Sequence, residues 1–210
     1  MKWHETLIRC GRVMVEEGLT WGRSGNISLV TGENRFLITG GGAELGSLQE
    51  DDLIRCEIDS DGFDGSRPPS METQLHRNIY RACVNAKAVI HSQPVYSTIF
   101  ACSDLEIRSD FLPEAMAYLE RVERVPYFHA GSQDLAEATA GKASLSRVLL
   151  LNNHGVVCRG ESLDEALLLT RTLEFCCRLI ITSRGGGIEF NYLGDKLMDE
   201  FRAHLRDIGR

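Results

Sequence analysis

No apolar run in the sequence is long enough to cross a bilayer. The opening MKWHETLIRC carries an acid and reads as the start of an amphipathic helix, not as a signal peptide. Positive charge is not in excess either: 30 Asp and Glu stand against 23 Lys and Arg, a formal net charge of −7. That balance argues against a polyanion-binding surface, so no nucleic-acid partner is expected, although a small anionic substrate needs only local donors. C-x-x-C pairs are missing as well. The seven cysteines (Cys10, Cys56, Cys83, Cys102, Cys158, Cys176 and Cys177) are odd in number, scattered, and set mostly in apolar stretches. A chain of 210 residues with a good core has no need of a disulfide scaffold, so they read as reduced core thiols in a cytoplasmic protein. Repeats and low-complexity segments are absent too.

What is present is an ordinary soluble composition, 43% hydrophobic and 25% charged, consistent with one domain over residues 1–210. Residues 3–17 have helical spacing and stop at Gly18. NISLV and RFLIT read as a hairpin turning at Gly32–Asn34, followed by a glycine-rich loop and the strand LIRCEID. A loop through Asp59–Gly65 and Pro68–Pro69 leads to a helix starting near Ser70 and ending about Cys83. KAVIH is a short buried strand, with a helix from Tyr96 to Cys102. RVERVPYF is a strand, SQDLAEATAGKA a helix capped by Ser132, and RVLLLNN and GVVCRG two more strands. Leu163–Thr182 and Asp195–Asp207 are helical, whereas residues 104–121 are poorly patterned. Several strands follow one another through short turns, so the sheet is expected to be mixed or largely antiparallel and covered by helices.

Four loops are able to carry chemistry. In GLTWGRSGNISL, Ser24-Gly25-Asn26 precedes a strand and can aim N–H groups and an amide at an oxyanion; a helix end followed by a turn is the plainer alternative. Thr39-Gly40-Gly41-Gly42 allows close backbone approach to a ligand, or is simply a loop. Glu72 in SRPPSMETQLH falls in the first turn of a helix, where glutamate also serves the helix dipole. His154 in LLLNNHGVV interrupts two very apolar segments, a costly place for polar groups unless they are paired or used. Finally, AVIHSQ ends a strand with His91 and Gln93. Positions i and i+2 share a face, but an imidazole and an amide make a weaker half-site than two imidazoles, and on the residues alone a structural role is favoured.

Taken together these segments resemble the class II aldolase/adducin family. The similarity rests on GLTWGRSGNISL, FLITGGG with LQEDDLIRCEID, PSMETQLHRNIY, AVIHSQPVYST, VPYFHAGSQDLAEA and LLLNNHGVVCRGESLDEAL, in the family's order and spacing over nearly the whole chain. The resemblance implies an α/β fold, a three-layer αβα sandwich with a mixed, mostly antiparallel sheet, and a homo-oligomer, typically a tetramer. It implies that Glu72 is the catalytic proton carrier, that His91 and His154 are metal ligands with Gln93 at the third ligand's place, and that Asn26, Gly25, Gly42 and Ser70 bind substrate. The implied cofactor is a divalent metal, zinc foremost, with manganese or cobalt as alternatives. The implied activity is cleavage of a C–C bond in a small hydroxylated carbonyl compound, a sugar or sugar phosphate, by an enediolate mechanism of aldolase type. An epimerase, a decarboxylase and a non-catalytic adducin-like assembly domain are the alternatives.

The departures from the family pattern bear on the substrate. Gly41 stands where a phosphate-binding threonine is usual and Met71 where a second serine is, and each lost charge-assisted hydrogen bond forfeits about 1.5–3 kcal/mol. Gln93 stands in place of a histidine. No counterpart of the relatives' general-acid tyrosine is evident around Ser109–Glu114. His204 falls near the place of a C-terminal tyrosine but is read as a surface residue.

Overall fold

Alternation along the strands divides the apolar side chains between two faces, and each face is covered by its own helices. The computed structural model describes residues 2–208. After α1 (Lys2–Glu16) the chain forms β1 (Asn26–Gly32), β2 (Arg35–Thr39), β3 (Leu53–Glu57) and β4 (Phe63–Asp64). Then come α2 (Thr73–Ala82), β5 (Ala88–Ser92), α3 (Val95–Ala101), α4 (Pro113–Tyr118) and β6 (Val122–Val125). The remainder is α5 (Gln133–Ala143), β7 (Val148–Leu151), β8 (Gly155–Gly160), α6 (Leu163–Gly185) and α7 (Asp195–Asp207).

All the strands join one eight-stranded sheet in the order β4-β3-β2-β1-β5-β8-β7-β6. Only the β6–β7 pair is parallel, so the expected mixed, mostly antiparallel sheet is what forms. Phe36, Ile38, Ile54, Val89, Leu149, Leu151 and Val157 point to the face that packs on Leu75, Ile79 and Tyr80 of α2 and Leu135 and Ala136 of α5. Their neighbours Leu37, Ala88 and Ile90 point the other way, onto α1 and the start of α6. Val148, Leu150, Val156 and Cys158 meet α3, α4 and the middle of α6 on that same side. A sheet between two helical layers is the result, and each fully buried Leu, Ile or Phe contributes about 1.5–3 kcal/mol relative to exposure.

Six of the seven cysteines are buried and all are free; burial pushes the Cys158 thiol up to about 12, which keeps it protonated. Among the described residues no helix is long and apolar enough to cross a membrane.

The helix expected from Ser70 begins at Thr73 instead. The unpatterned region holds α4, with Pro113 at its first position after an extended Leu112. At the sheet edge, β4 pairs two residues of the expected Asp59–Gly65 loop with β3.

Candidate metal centre

The centre assembles where β5 lies between β1 and β8. His91 is on β5 and 1% exposed, and its partners across the sheet are Asn26 of β1 and Val157 of β8. Its Nδ1–H donates to the carbonyl of Val156 at 3.0 Å, which fixes the tautomer and leaves a lone pair on Nε2. His154 comes from the turn between β7 and β8. Asn153 beside it has φ 55°, a conformation asparagine tolerates, and donates its N–H to Ala101 O at 2.9 Å. Asn152 is held by Arg124 at 3.1 Å, so the polar interruption between the apolar strands is paired. Gln93 sits just beyond the end of β5, yet its Nε2 still reaches His91 Nε2 at 2.9 Å, while its Oε1 is buried without a partner.

Glu72 arrives from the other layer. It occupies the residue before α2 but makes no capping hydrogen bond. Ser70 does the local work instead: its Oγ accepts the Glu72 N–H at 3.3 Å, and its carbonyl accepts the Thr73 N–H and hydroxyl at 3.0 and 2.6 Å. The Glu72 side chain is thereby free to turn inward, where it is 3% exposed. Its Oε2 lies 3.2 Å from His91 Nε2 and its Oε1 3.4 Å from His154 Nε2, but neither oxygen has a hydrogen bond. Desolvation first, and the nearby His91 second, hold the His154 pKa below the ordinary histidine value against the opposing pull of Glu72, so this imidazole is neutral.

A buried carboxylate without a donor, facing a lone-pair nitrogen, is an arrangement that a cation relieves. Glu72, His91 and His154 each offer a ligand atom, all within 4.8 Å of one another, and these residues fit a divalent metal.

Around the cluster is a cavity of about 270 Å³ lined by Arg23, Gly25, Asn26, Gly40–Ala43, Ser70, Met71, Gln93 and Ala130. Every predicted site residue is therefore brought together. The glycine loop offers fewer donors than its composition suggests. Gly40 and Gly41 already donate to Asp52 O at 2.7 Å and Pro68 O at 3.0 Å, leaving the Gly42 N–H, at φ 72°, for a ligand. Met71 is 70% exposed at the rim, and His204 is exposed on α7. A larger groove of about 580 Å³ between α4, α6 and α7 shares no lining residue with this cavity. Two residues escape a reading by motif. Arg23 brings the lining's single Lys or Arg cation, tied at the surface to Glu44 at 3.2 Å. His76, four residues after Glu72 on α2, bonds to Asn26 at 2.6 Å; its histidine-after-glutamate spacing was the available signal.

Fold and donors together define an αβα protein with a candidate divalent-metal site beside a buried carboxylate. Residues 5–181 match the family described as Class II Aldolase and Adducin N-terminal domain, and the chain belongs to that family. It is 32% identical over 190 residues to a 3-oxo-tetronate 4-phosphate decarboxylase of Haemophilus influenzae, covering 89% of this chain and 90% of that one. It is 34% identical over 174 residues to an L-fuculose phosphate aldolase of Methanocaldococcus jannaschii, covering 83% and 93%. A solved L-fuculose 1-phosphate aldolase superposes with a TM-score of 0.89 at 25% identity, covering 98% of this chain and 96% of that one.

Proposed function

We propose that the protein is a metal-dependent lyase that cleaves a C–C bond in a small hydroxylated carbonyl compound, a sugar or sugar phosphate, in an aldolase-type reaction in the cytoplasm. The observation that carries this reading is the buried, unpartnered Glu72 carboxylate beside the lone pair of His91. His91, His154 and Glu72, with the Gln93 oxygen as a further donor, would hold the cation; two imidazoles and oxygens suit zinc, with manganese or cobalt as alternatives. The cation would act as a Lewis acid that disperses enediolate charge on the substrate oxygens. Glu72 carries the proton to or from the carbon next to the carbonyl. Asn26, the Gly42 N–H and the Ser70 hydroxyl orient the substrate, and Gly25 lets the chain approach β5. Arg23 at the mouth supplies positive charge for an anionic group, which offsets the donors missing at Gly41 and Met71.

Decarboxylation of a β-keto acid is the second reading, favoured by the similarity to a relative so named. Loss of carbon dioxide and loss of an aldehyde leave the same charge on the remaining fragment, so one site serves both. Metal analysis of purified protein, followed by a panel of hydroxylated aldehydes, ketones and keto acids, with aldehyde and carbon dioxide measured separately, tests and separates the two. Protein that takes up no divalent ion and turns over nothing in the panel would refute both and favour an assembly role. We also propose a homo-oligomer, a tetramer by analogy with the family.

A further inference from the structure

One polar chain runs from the helical layer to the site. Asn26 and Ser28 are alternate residues of β1 and face α2, while His76 and Tyr80 are one turn apart on α2. The two spacings match: about 6.8 Å between alternate strand residues and about 6.0 Å between helix residues four apart. His76 Nε2 lies 2.6 Å from Asn26 Oδ1, and His76 Nδ1 lies 2.6 Å from Ser28 Oγ. Ser28 Oγ is in turn 2.5 Å from the Tyr80 hydroxyl. His76 and Ser28 are fully buried and Tyr80 is 6% exposed.

We infer that His76 is a positioning residue that fixes the Asn26 side chain with its NH₂ group turned into the pocket as a donor to a substrate oxygen. Two directions of the chain are conceivable. In one, Tyr80 donates to Ser28, Ser28 donates to His76 Nδ1, and His76 Nε2–H donates to the Asn26 oxygen. In the other, the asparagine NH₂ donates to Nε2 and everything reverses, leaving the buried Tyr80 O–H with nothing to donate to. The first direction satisfies every member, and a buried network tolerates no orphan. Only in that direction does the amide oxygen face away from the pocket, so a site meant for oxyanions is not lined by an acceptor. The ring is fully buried, which disfavours the imidazolium, and in the neutral form one nitrogen donates while the other accepts. The pairing of side chains stands on geometry alone; the role toward substrate rests on the lyase reading.

The first test is ¹⁵N NMR of the histidine rings in the unmodified protein from pH 5 to 8. A neutral Nε2–H tautomer for His76 is expected, and either the Nδ1–H tautomer or an imidazolium overturns the inference. This reading involves neither metal nor turnover, so it fails separately from the lyase proposal. The second test is a double-mutant cycle in the metal-loaded protein with glycolate as the binding probe. His76→Leu should weaken glycolate about tenfold at unchanged metal content, the loss of one hydrogen bond to a charged group. His76→Gln, which can donate to the same oxygen, should restore binding. Asn26→Ala with His76→Leu should bind no more weakly than Asn26→Ala alone. Additive losses, or loss of metal in His76→Gln, would show a merely structural histidine and overturn the role.

Discussion

Replacing Glu72 by glutamine should make the metal-free protein more stable while it destroys turnover. The carboxylate is 3% exposed, accepts no hydrogen bond, and points its Oε2 at the Nε2 of His91, whose Nδ1–H is spent on Val156. An unsatisfied buried polar group costs about 1–3 kcal/mol, and more when charged. The amide keeps the shape and removes the charge from a position 3.2 Å from His91 Nε2, whose lone pair already takes the Gln93 N–H. The expected gain is therefore about 1–3 kcal/mol. At about 2–4 °C per kcal/mol for a chain of this size, Tm should rise by about 2–12 °C.

Metal should reverse the order. A cation bound only by the folded wild type adds about 4 kcal/mol at a thousandfold excess over its Kd, and the variant has lost the anionic ligand that makes such binding tight. Thermal unfolding of both proteins, chelated and then reloaded, reads the crossover, and turnover should fall by about 10²–10⁴. A chelated Glu72→Gln that melts at or below the chelated wild type would mean that the carboxylate already has a partner, and the case for a cation at this place would fall with it.

Gln93→His should tighten metal binding and raise selectivity for zinc, whereas His154→Ala should remove the metal; metal content after mild chelation and reloading decides both. Arg23→Ala should raise KM for anionic substrates about tenfold while leaving neutral analogues unaffected, because its partner Glu44 holds it only at the surface; equal effects on both would place it outside the substrate site. Since the folded pKa of His76 lies near 3, below its unfolded value near 6.5, the unfolded chain binds the extra proton between those limits. Stability from this residue is therefore complete above pH 6.5 and is lost on acidification toward 3, at up to about 1.4 kcal/mol per pH unit. His76→Gln should flatten that limb in urea titrations at a series of pH values. Sedimentation should give a tetramer, and an active monomer at micromolar concentration would remove the oligomer proposal.

Most of the architecture was legible because it is written in periodicity. The hairpin, the buried strand at Ala88, the Ser132 cap and both long C-terminal helices follow from spacing and punctuation. α4 was not, since six residues are too few to show a helical period, and the two residues of β4 are too few to alternate. At the site, the shift of the α2 start from Ser70 to Thr73 mattered most. A first-turn glutamate inside the helix serves the dipole, whereas one residue earlier, with Ser70 taking over the capping, its carboxylate is released into the cavity. His76 stayed hidden because a helix read by its apolar face assigns the positions on that face to the core. Here the same face carries Glu72, His76 and Tyr80 onto the polar ends of β1 and β5.

Two glycines beside the candidate site residues show how the sheet itself sets their geometry. A Cβ on Gly25 would come within 2.7 Å of the His91 carbonyl, and φ at that residue is 79°. A Cβ on Gly155 would come within 2.6 Å of the Ser92 carbonyl and 3.0 Å of Gln93 Cγ. Real Cβ atoms do not approach this closely, so any side chain at either position must push β5 away from its neighbour. The backbone of His91 to Gln93 is thus gripped from both sides, by the start of β1 and the start of β8, at the three residues that carry the imidazole and the amide. Gly25 in SGN and Gly155 in NHG are therefore the places where adjoining strands close on the segment that holds His91 and Gln93. Each lies directly beside a candidate site residue, Asn26 in one case and His154 in the other.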